Sequence, residues 1–335
     1  MEKYSYLISS VDKEYLKMKQ LLALILALIM ILSLAACGSK PEKSGSLTFI
    51  TGSDTGTYYD FGNVMGEQVS SSTDTQVTII PSHGSQANIE ALLAGDADIA
   101  FVQSDVMAYA RNGTRFFAGT GAVTSFSAMA AMYLEQVQLI TLDPSIDSVD
   151  DLAGKRVSIG AVGSGVYYNV MDIFGVYGLT EEDVIPSFFD FGETIEALRD
   201  DRIDAGFVVA GAPTNAVSSL AATNDVYLVS LDDQHINALI AASPYYTRNT
   251  IGSEVYGTRE DVTTVGISAV VIANNAASDD DIYNFISSIF NNLDDLVHDK
   301  TKEMSLDFAV SVTDVPYHPG AARYFSERGL TVPTK

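Results

Sequence analysis

An internal repeat limits the folds that this chain can adopt more than any other feature of its sequence. Three short segments occur twice in the same order: GTYY at 56–59 and GVYY at 165–168, IEAL at 89–92 and 195–198, and DIAFV at 98–102 and DAGFV at 204–208. The offsets are 109, 106 and 106 residues, so both order and spacing are kept. Two copies are too few for a solenoid. The repeat therefore predicts two similar α/β lobes that face each other.

From residue 47 onward, short apolar runs alternate with segments of helical periodicity. Strands are predicted at 47–51, 77–81, 98–102, 129–134, 137–142, 156–160, 204–209, 226–229 and 265–273. Helices are predicted at 58–70, 86–94, 167–177, 194–199, 214–221, 279–293 and 320–328. This alternation indicates parallel sheets covered on both faces. Ligands bind beyond the carboxyl ends of strands in such sheets, so two lobes predict a shared cleft.

The net charge of −24 at pH 7 limits the partners that the chain can bind. A strongly acidic surface repels nucleic acid and favours a soluble body. Hydrophobic residues make up 47% of the 335 positions, which is enough to bury a large core. We therefore expect a folded protein, monomeric and without a nucleic-acid partner.

The N-terminal segment has the pattern of an export signal. Lys17 and Lys19 precede an apolar run at 21–34, which is short for a membrane span and typical of a signal-peptide core. The run ends in Leu34-Ala35-Ala36-Cys37, which resembles the lipobox of bacterial lipoproteins. That resemblance implies lipidation of Cys37, the only cysteine, and an extracytoplasmic protein anchored to the outer face of the cell membrane or periplasmic. A simple transmembrane anchor is the alternative.

These patterns divide the chain into predicted parts. They are a misassigned extension at 1–17, a signal peptide at 18–36, a tether at 37–46, lobe I at 47–134 plus 250–335, and lobe II at 135–249. The extension is predicted because Met18 stands directly before Lys19, where a signal peptide would begin.

Five segments have the composition of ligand-binding turns: Thr51–Tyr59, Ser82–Asn88, Gln103–Asp105, Gly163–Gly165 and Ala210–Pro213. Glycine lets the backbone approach a ligand closely, and a helix N-terminus presents free N–H groups to an anion. The alternative is an ordinary strand-to-helix turn, with Ser85 as an N-cap and Pro213 at the first position of a helix. The first segment lacks the Lys of a P-loop and the spacing of a dinucleotide fingerprint.

Taken in order, the segments resemble those of the TAXI family of substrate-binding proteins of TRAP transporters. That family shows a G-x-G-x-YYP-like turn, S-x-GS-x-x-N, an LQSD-like strand end, LxGKRVxxGxxGSG, DAxFxxxGxP and HPGAxRYxxExG. The matching stretches are Gly52–Tyr59, Ser82–Asn88, Val102–Asp105, Leu152–Gly165, Asp204–Pro213 and His318–Gly329. The resemblance implies a two-lobed, periplasmic-binding-protein-like α/β fold of type II, with a ligand cleft between the lobes.

The resemblance also implies which residues bind the ligand. They are Ser53, Thr55, Gly56, Tyr58, Tyr59, Gly84, Ser85, Asn88, Gln103, Ser104, Asp105, Gly163, Ser164, Gly165, Gly211 and Pro213. Asp54, Asp60 and His83 depart from the family pattern. We expect Asp54 to place an additional carboxylate beside the pocket, which disfavours an anion and favours an amine.

As a function, the resemblance implies a receptor that closes on a small polar solute, such as glutamate, glutamine or a related carboxylate. It implies delivery of that solute to a TRAP-type permease, with no cofactor, no metal and no catalysis. A sensor module for a signalling partner and an extracellular hydrolase are the alternatives. The hydrolase has little support, because no histidine stands in a zinc-binding pattern and Ser164 lacks the glycine of a nucleophile elbow two residues before it.

The segment His318-Pro319-Gly320-Ala321 has two interpretations. In the TAXI family it belongs to the retained late motif, which would place it near a pocket. By its residue types it predicts the start of a helix, with Tyr324 and Phe325 buried behind it.

Overall fold

The structure is a computed structural model, and it describes residues 45–334. The predicted extension, signal peptide and lipidated Cys37, and all but the end of the tether, lie outside the described residues. Within residues 45–334, no helix is both long enough and apolar enough to cross a membrane.

The described residues form ten strands in one hydrogen-bonded sheet. The strands are β1 (Ser46–Ile50), β2 (Gln76–Ile80), β3 (Ile99–Gln103), β4 (Phe126–Thr141), β5 (Arg156–Ser158), β6 (Ile185–Ser187), β7 (Ala205–Ala210), β8 (Tyr227–Val229), β9 (Thr247–Ile251) and β10 (Val262–Asn274). Of these, β6 and β9 were not predicted. Both are short, and β6 contains Pro186, a residue that weakens the sequence signal of a strand.

The helices within the same residues are α1 (Thr57–Ser72), α2 (Ser85–Ala94), α3 (Ser104–Asn112), α4 (Val166–Tyr177), α5 (Phe191–Arg199), α6 (Asn215–Ala221), α7 (Asp233–Ala242), α8 (Asp279–Asn291), α9 (Leu306–Ala309) and α10 (Pro319–Ser326). The sequence predicted all of them except α3, α7 and α9. Helix α3 follows β3 with no connecting turn, so the chain carries no loop signal at that boundary.

The order of the strands repeats on the two sides of the sheet. It reads β2-β1-β3-β10-β4-β7-β5-β6, with β8 added beside β4 and β9 beside β10. Strands β1, β2 and β3 are parallel, and so are β5, β6 and β7. We call the β1–β3 side with its helices the first lobe and the β5–β7 side the second lobe. The prediction of purely parallel sheets is wrong at the centre, where β10 and β4 run antiparallel to each other and to their neighbours.

Two equivalent aspartates show that the sequence repeat is also a structural repeat. The Asp98 carboxylate accepts the backbone N–H of Thr48 at 2.8 Å, and the Asp98 N–H donates to the Thr48 carbonyl. The Asp204 carboxylate accepts the N–H of Arg156 at 2.7 Å, and the Asp204 N–H donates to the Arg156 carbonyl. In each lobe the same residue of the repeated motif therefore fastens the first strand to the third.

Strands β4 and β10 run through both lobes. The sequence predicted two strands, at 129–134 and 137–142, where the structure has the single strand β4. Glu135 and Gln136 suggested a break, but both side chains are buried and the strand continues through them. The ladder between β4 and β10 pairs Ile267 with Glu135, and its register shifts next to this point, between Ala269 and Val270.

The buried apolar side chains divide along these two strands. Tyr133 of β4 and Ala269 of β10 pack in one cluster with the first lobe. Val137 and Ile267, only a few residues away on the same strands, pack in another cluster with the second lobe. Strand β10 begins in the second cluster, although the predicted limits place it in lobe I.

The helix start predicted at His318 is confirmed. His318 is the N-cap of α10, and its Nδ1 accepts the N–H of Gly320 at 3.3 Å, while Pro319 occupies the first helical position. Tyr324 and Phe325 are fully buried in the core of the first lobe.

Candidate functional site

A cavity lies where the glycine-rich turns of the two lobes meet. Its walls are Gly52, Ser53, Gly56, Thr57, Tyr58, His83, Gly84, Ser85, Gln103, Glu135, Ala161, Ser164, Gly165, Val166, Asp190, Phe191, Val209 and Ala210. Both lobes contribute, and Glu135 comes from the shared strand β4. The predicted fold class, two α/β lobes with a cleft between them, is therefore confirmed.

Three helices begin at this cavity without a side-chain cap. The N-caps of α1, α2 and α4 are Gly56, Gly84 and Gly165. The first N–H groups of a helix have no partner within the helix. By contrast, α7 and α8, which begin elsewhere, are capped by an aspartate and a serine, and α5, whose N-cap Asp190 lines the cavity, is capped by that aspartate. The cavity wall thus includes helix N-termini without side-chain caps, which favour a negatively charged group, although the Ala87 N–H in the first turn of α2 already donates to the Gly163 carbonyl.

Four buried polar atoms of the cavity wall make no hydrogen bond to the described residues. They are the Tyr58 hydroxyl, Gln103 Oε1, Glu135 Oε1 and Ser164 Oγ. A buried polar atom without a partner costs about 1–3 kcal/mol, so protein interiors rarely keep several together. These four atoms belong to both lobes and to the strand between them, and they face one space.

Glu135 is the most deeply buried ionisable group of the cavity, with 1% of its surface exposed. Its Oε2 accepts the amide Nε2 of Gln103 at 3.1 Å. Burial raises the pKa of the Glu135 carboxyl to about 8, and the charge of Asp105 adds to the rise. The Tyr58 hydroxyl and the Gln103 amide act in the opposite direction, although Tyr58 lies outside normal hydrogen-bond geometry.

The lobes touch around the cavity through backbone groups. The Thr57 hydroxyl donates to the Gly211 carbonyl at 2.8 Å. The Ala87 N–H donates to the Gly163 carbonyl at 3.1 Å, and the Ala216 N–H donates to the Thr55 carbonyl at 3.1 Å. A Cβ atom built on Gly165 would overlap the Gln103 amide oxygen, so this approach needs glycine. The structure therefore holds the two lobes closed against each other.

Of the residues predicted to bind the ligand, half line the cavity: Ser53, Gly56, Tyr58, Gly84, Ser85, Gln103, Ser164 and Gly165. Thr55, Gly163 and Gly211 stand just outside and supply the carbonyls that join the lobes. Tyr59, Ser104 and Pro213 are not part of the wall. Ser85 is the first residue of α2 rather than its N-cap, and its hydroxyl accepts the Gln103 N–H at 3.0 Å. Pro213 precedes the N-cap Thr214, so the predicted helix start at Pro213 is wrong.

Asn88 and Asp105 have internal partners. The Asn88 amide donates to the carbonyls of Thr51 at 2.6 Å and Phe101 at 2.7 Å, which ties the ends of β1 and β3 together. Asp105 is fully buried and accepts the amide of Asn169 at 3.0 Å from the second lobe. Burial raises the pKa of the Asp105 carboxyl to about 7.

Several cavity residues were not predicted as ligand-binding, and Glu135, Asp190 and Phe191 are the most informative. Asp190 caps α5 by accepting the Glu193 N–H at 2.8 Å. Phe191 would touch a Cβ built on Gly56, so it closes the cavity from the second lobe. Asp54, which was expected to bring a carboxylate to the pocket, is exposed and absent from its wall. The carboxyl groups that the cavity does contain belong to Glu135 and Asp190.

The two α/β lobes and their shared cavity define the class of protein, a periplasmic-binding-protein-like fold. The sequence profile of the NMT1-like family matches residues 49–329, and the chain belongs to that family.

Three solved structures are similar to this chain. A protein from Bordetella bronchiseptica RB50 is 14% identical, with 87% of this chain and 100% of that chain covered and a TM-score of 0.53. The alkanesulfonate-binding protein SsuA from Xanthomonas axonopodis pv. citri, bound to MOPS, is 14% identical over 86% and 85% of the two chains, with a TM-score of 0.48. A putative L-cystine ABC transporter protein from Listeria monocytogenes is 15% identical over 81% and 99%, with a TM-score of 0.46. At these identities the likeness concerns the fold alone.

The position of Asn88 yields a first test. We expect Asn88→Ala to lower the free energy of unfolding by about 2–4 kcal/mol, because it removes both buried hydrogen bonds from the Asn88 amide to the carbonyls of Thr51 and Phe101. Urea denaturation of the ligand-free protein measures this change. The control is Asn63→Ala, which removes an exposed amide that bonds only the Tyr59 carbonyl on the surface of α1 and should change stability by less than about 0.5 kcal/mol. Equal stability of the two variants would contradict the scaffold role.

Proposed function

We propose that this chain is an extracytoplasmic receptor that captures one small polar solute by closure of its two lobes and delivers it to a membrane permease. The observation that carries the proposal is the set of four unpartnered polar atoms on Tyr58, Gln103, Glu135 and Ser164 in a cavity walled by both lobes. A solute that bonds to these atoms removes their unsatisfied state, and that gain exists only when the lobes are together.

The energetics of such capture are modest. A dissociation constant of 1 μM corresponds to about −8 kcal/mol. Partners for several buried polar atoms and for the uncapped N-termini of α1, α2 and α4 can provide this after the cost of closure. A solute shifts the open–closed equilibrium only by its difference in affinity for the two states. Atoms contributed by both lobes meet that condition, because an open cleft cannot present them together.

A binding role fits the serine of the cavity better than a catalytic role. Ser164 Oγ has no hydrogen-bond partner among residues 45–334. A serine nucleophile is activated by a base within hydrogen-bond reach, so nothing in the described geometry favours the hydrolase alternative. Within the same residues, no group of three His, Cys, Asp or Glu side chains is placed to hold a metal ion.

The finer parts of the proposal rest on sequence patterns. The TAXI-like segments support a permease of the TRAP type and a solute related to glutamate or glutamine. The lipobox-like Leu34–Cys37 supports export, cleavage before Cys37 and a lipid anchor, with residues 37–46 as the tether. We retain lobe limits of 47–134 plus 250–335 and 135–249, a monomeric state and no nucleic-acid partner as parts of the same proposal.

Capture of a solute tests the receptor role directly. The purified protein is incubated with an extract of small metabolites, washed, denatured, and the released compounds are analysed by mass spectrometry. We expect one compound at close to one equivalent per chain, released unchanged. Release of nothing above the level from a heat-denatured control, or release of a converted product, would contradict the proposal.

Closure is tested at Gly165. Its φ of −73° and ψ of −25° are normal for any residue, so Gly165→Ala should leave the open protein stable. The added methyl group collides with Gln103 only when the lobes close. We expect at least a tenfold loss of affinity for the captured solute, measured by calorimetry. Gly175→Ala, later in the same helix with open space around it, is the control and should keep full affinity. A Gly165→Ala variant that binds as the wild type does would refute closure at this contact.

A further inference from the structure

We propose that Glu135 receives a cationic nitrogen of the solute, so that the cavity retains solutes with a protonated amine and rejects carboxylates that lack one. This inference rests on the proposed receptor function and specifies the class of solute. It starts from the position of Glu135 in the middle of β4, where it reaches the cavity from the strand that the lobes share.

The bonding capacity of the cavity atoms defines what the solute must bring. Gln103 Oε1 can only accept a hydrogen bond, and so can Glu135 Oε1 when the carboxyl is ionised. Both atoms are buried and have no donor among the described residues. A solute that satisfies them must therefore carry at least two N–H or O–H groups on one side. An ammonium group has three N–H donors and no acceptor, which matches this wall.

The charges of the residues that line the cavity also favour a solute with a positive nitrogen. Its ionisable lining residues are Glu135, Asp190 and His83, and no lysine or arginine is part of the described wall. The nearest lysine to this strand, Lys300, is already paired with Glu303 at 2.6 Å and is not in the wall. A buried carboxylate without a counter-ion is costly, whereas one paired with an ammonium is stabilised. A solute with a positive nitrogen supplies the counter-ion that the protein omits.

The helix N-termini at the cavity favour a group of the opposite charge. The uncapped N-termini of α1, α2 and α4 favour a negative group, while Glu135 favours a positive one. The cavity is therefore complementary to a zwitterion such as an α-amino acid. A dicarboxylate would leave Glu135 unpaired and would place a second anion in the same enclosed space.

Binding of a cation at Glu135 is linked to pH. Burial raises the pKa of the Glu135 carboxyl to about 8 in the closed, empty cavity, so an ammonium that pairs with the ionised carboxylate in the closed form must keep the proton off it. The affinity for an amine should therefore fall as the pH is lowered through the pKa of Glu135. The other titratable groups around Glu135 are Tyr58, Tyr133, Asp105, Asp190, His83 and the Lys300–Glu303 pair. Loss of the slope in Glu135→Gln, and its survival in His83→Gln, would assign the proton to Glu135.

The test uses the compound captured from the metabolite extract and its amine-free counterpart, with L-glutamine, L-glutamate and 2-oxoglutarate as defined probes. We expect the captured compound to contain a protonated amine, and calorimetry to show at least about 100-fold weaker binding of its amine-free counterpart. Glu135→Gln should lose about 100-fold in affinity while its unfolding midpoint stays the same or rises, because it keeps the shape and removes a buried ionisable group. The control Asp54→Asn, an exposed carboxylate of the neighbouring turn, should stay within about threefold.

Each outcome of these experiments either supports the cation-binding role of Glu135 or overturns it. A captured solute without a cationic nitrogen, equal binding of the amine-free counterpart, or full affinity in Glu135→Gln would overturn this inference and leave the receptor function standing. Capture of no solute at all would overturn the receptor function and this inference with it. Because wild-type binding at several pH values needs no mutation, the proton linkage can be judged even if Glu135→Gln folds poorly.

Discussion

The ladder between β4 and β10 is the constraint on which the rest of the structure depends. Both strands pass through both lobes, and the packing changes from one core cluster to the other between Tyr133 and Val137 on β4 and between Ala269 and Ile267 on β10. Because the two strands are hydrogen-bonded along their length, they hold the two lobes in a fixed register. The lobes can bend relative to each other where the strands pass from one core cluster to the other. Glu135 lies where β4 passes from one lobe to the other, so a solute bound to it contacts the segment that the two lobes share.

The helices that begin with glycine at the cavity give up the stabilisation of an N-cap side chain and leave N–H groups free for a solute. An N-cap side chain contributes about 1 kcal/mol to a helix, and glycine contributes less. Helices α7, α8 and α10, which begin away from the cavity, have a side-chain cap. Helices α1, α2 and α4 begin at it with glycine and none. The same glycines let the turns of the two lobes approach closely, as Gly84 and Ser164 do. The N–H groups without a side-chain cap and the close approach of the turns both follow from glycine at these N-cap positions.

Much of this arrangement was visible in the sequence. The repeat predicted two similar lobes, and the glycine turns predicted which loops meet, because each turn joins a strand to a helix within a repeated unit. The resemblance to the TAXI family implied residues such as Ser53, Tyr58, Gly84 and Ser164. Asn88 could not be separated from them, because a buried amide that fastens β1 to β3 occurs in the same polar segment as the cavity residues.

Glu135 was missed for a physical reason. A polar pair within an apolar run indicates the end of a strand, and Glu135-Gln136 therefore predicted a break between two strands. The strand continues because the side chains of both residues find polar partners inside the protein: Glu135 bonds to Gln103, and Gln136 accepts the Ala212 N–H at 2.9 Å. Such partners come from segments far along the chain. Asp190 and Phe191 were missed for the same reason, since only the closure of the second lobe brings them to the first.

The most direct measurement of the central claim is the distance between the lobes with and without solute. Spin labels on cysteines at Glu67 of α1 and Glu196 of α5, both exposed and one in each lobe, in a Cys37→Ser background, report that distance by pulsed electron resonance. We expect the captured solute to shift a broad distribution of distances to a shorter, narrow one. An unchanged distribution at saturating solute would contradict a receptor that works by closing its lobes.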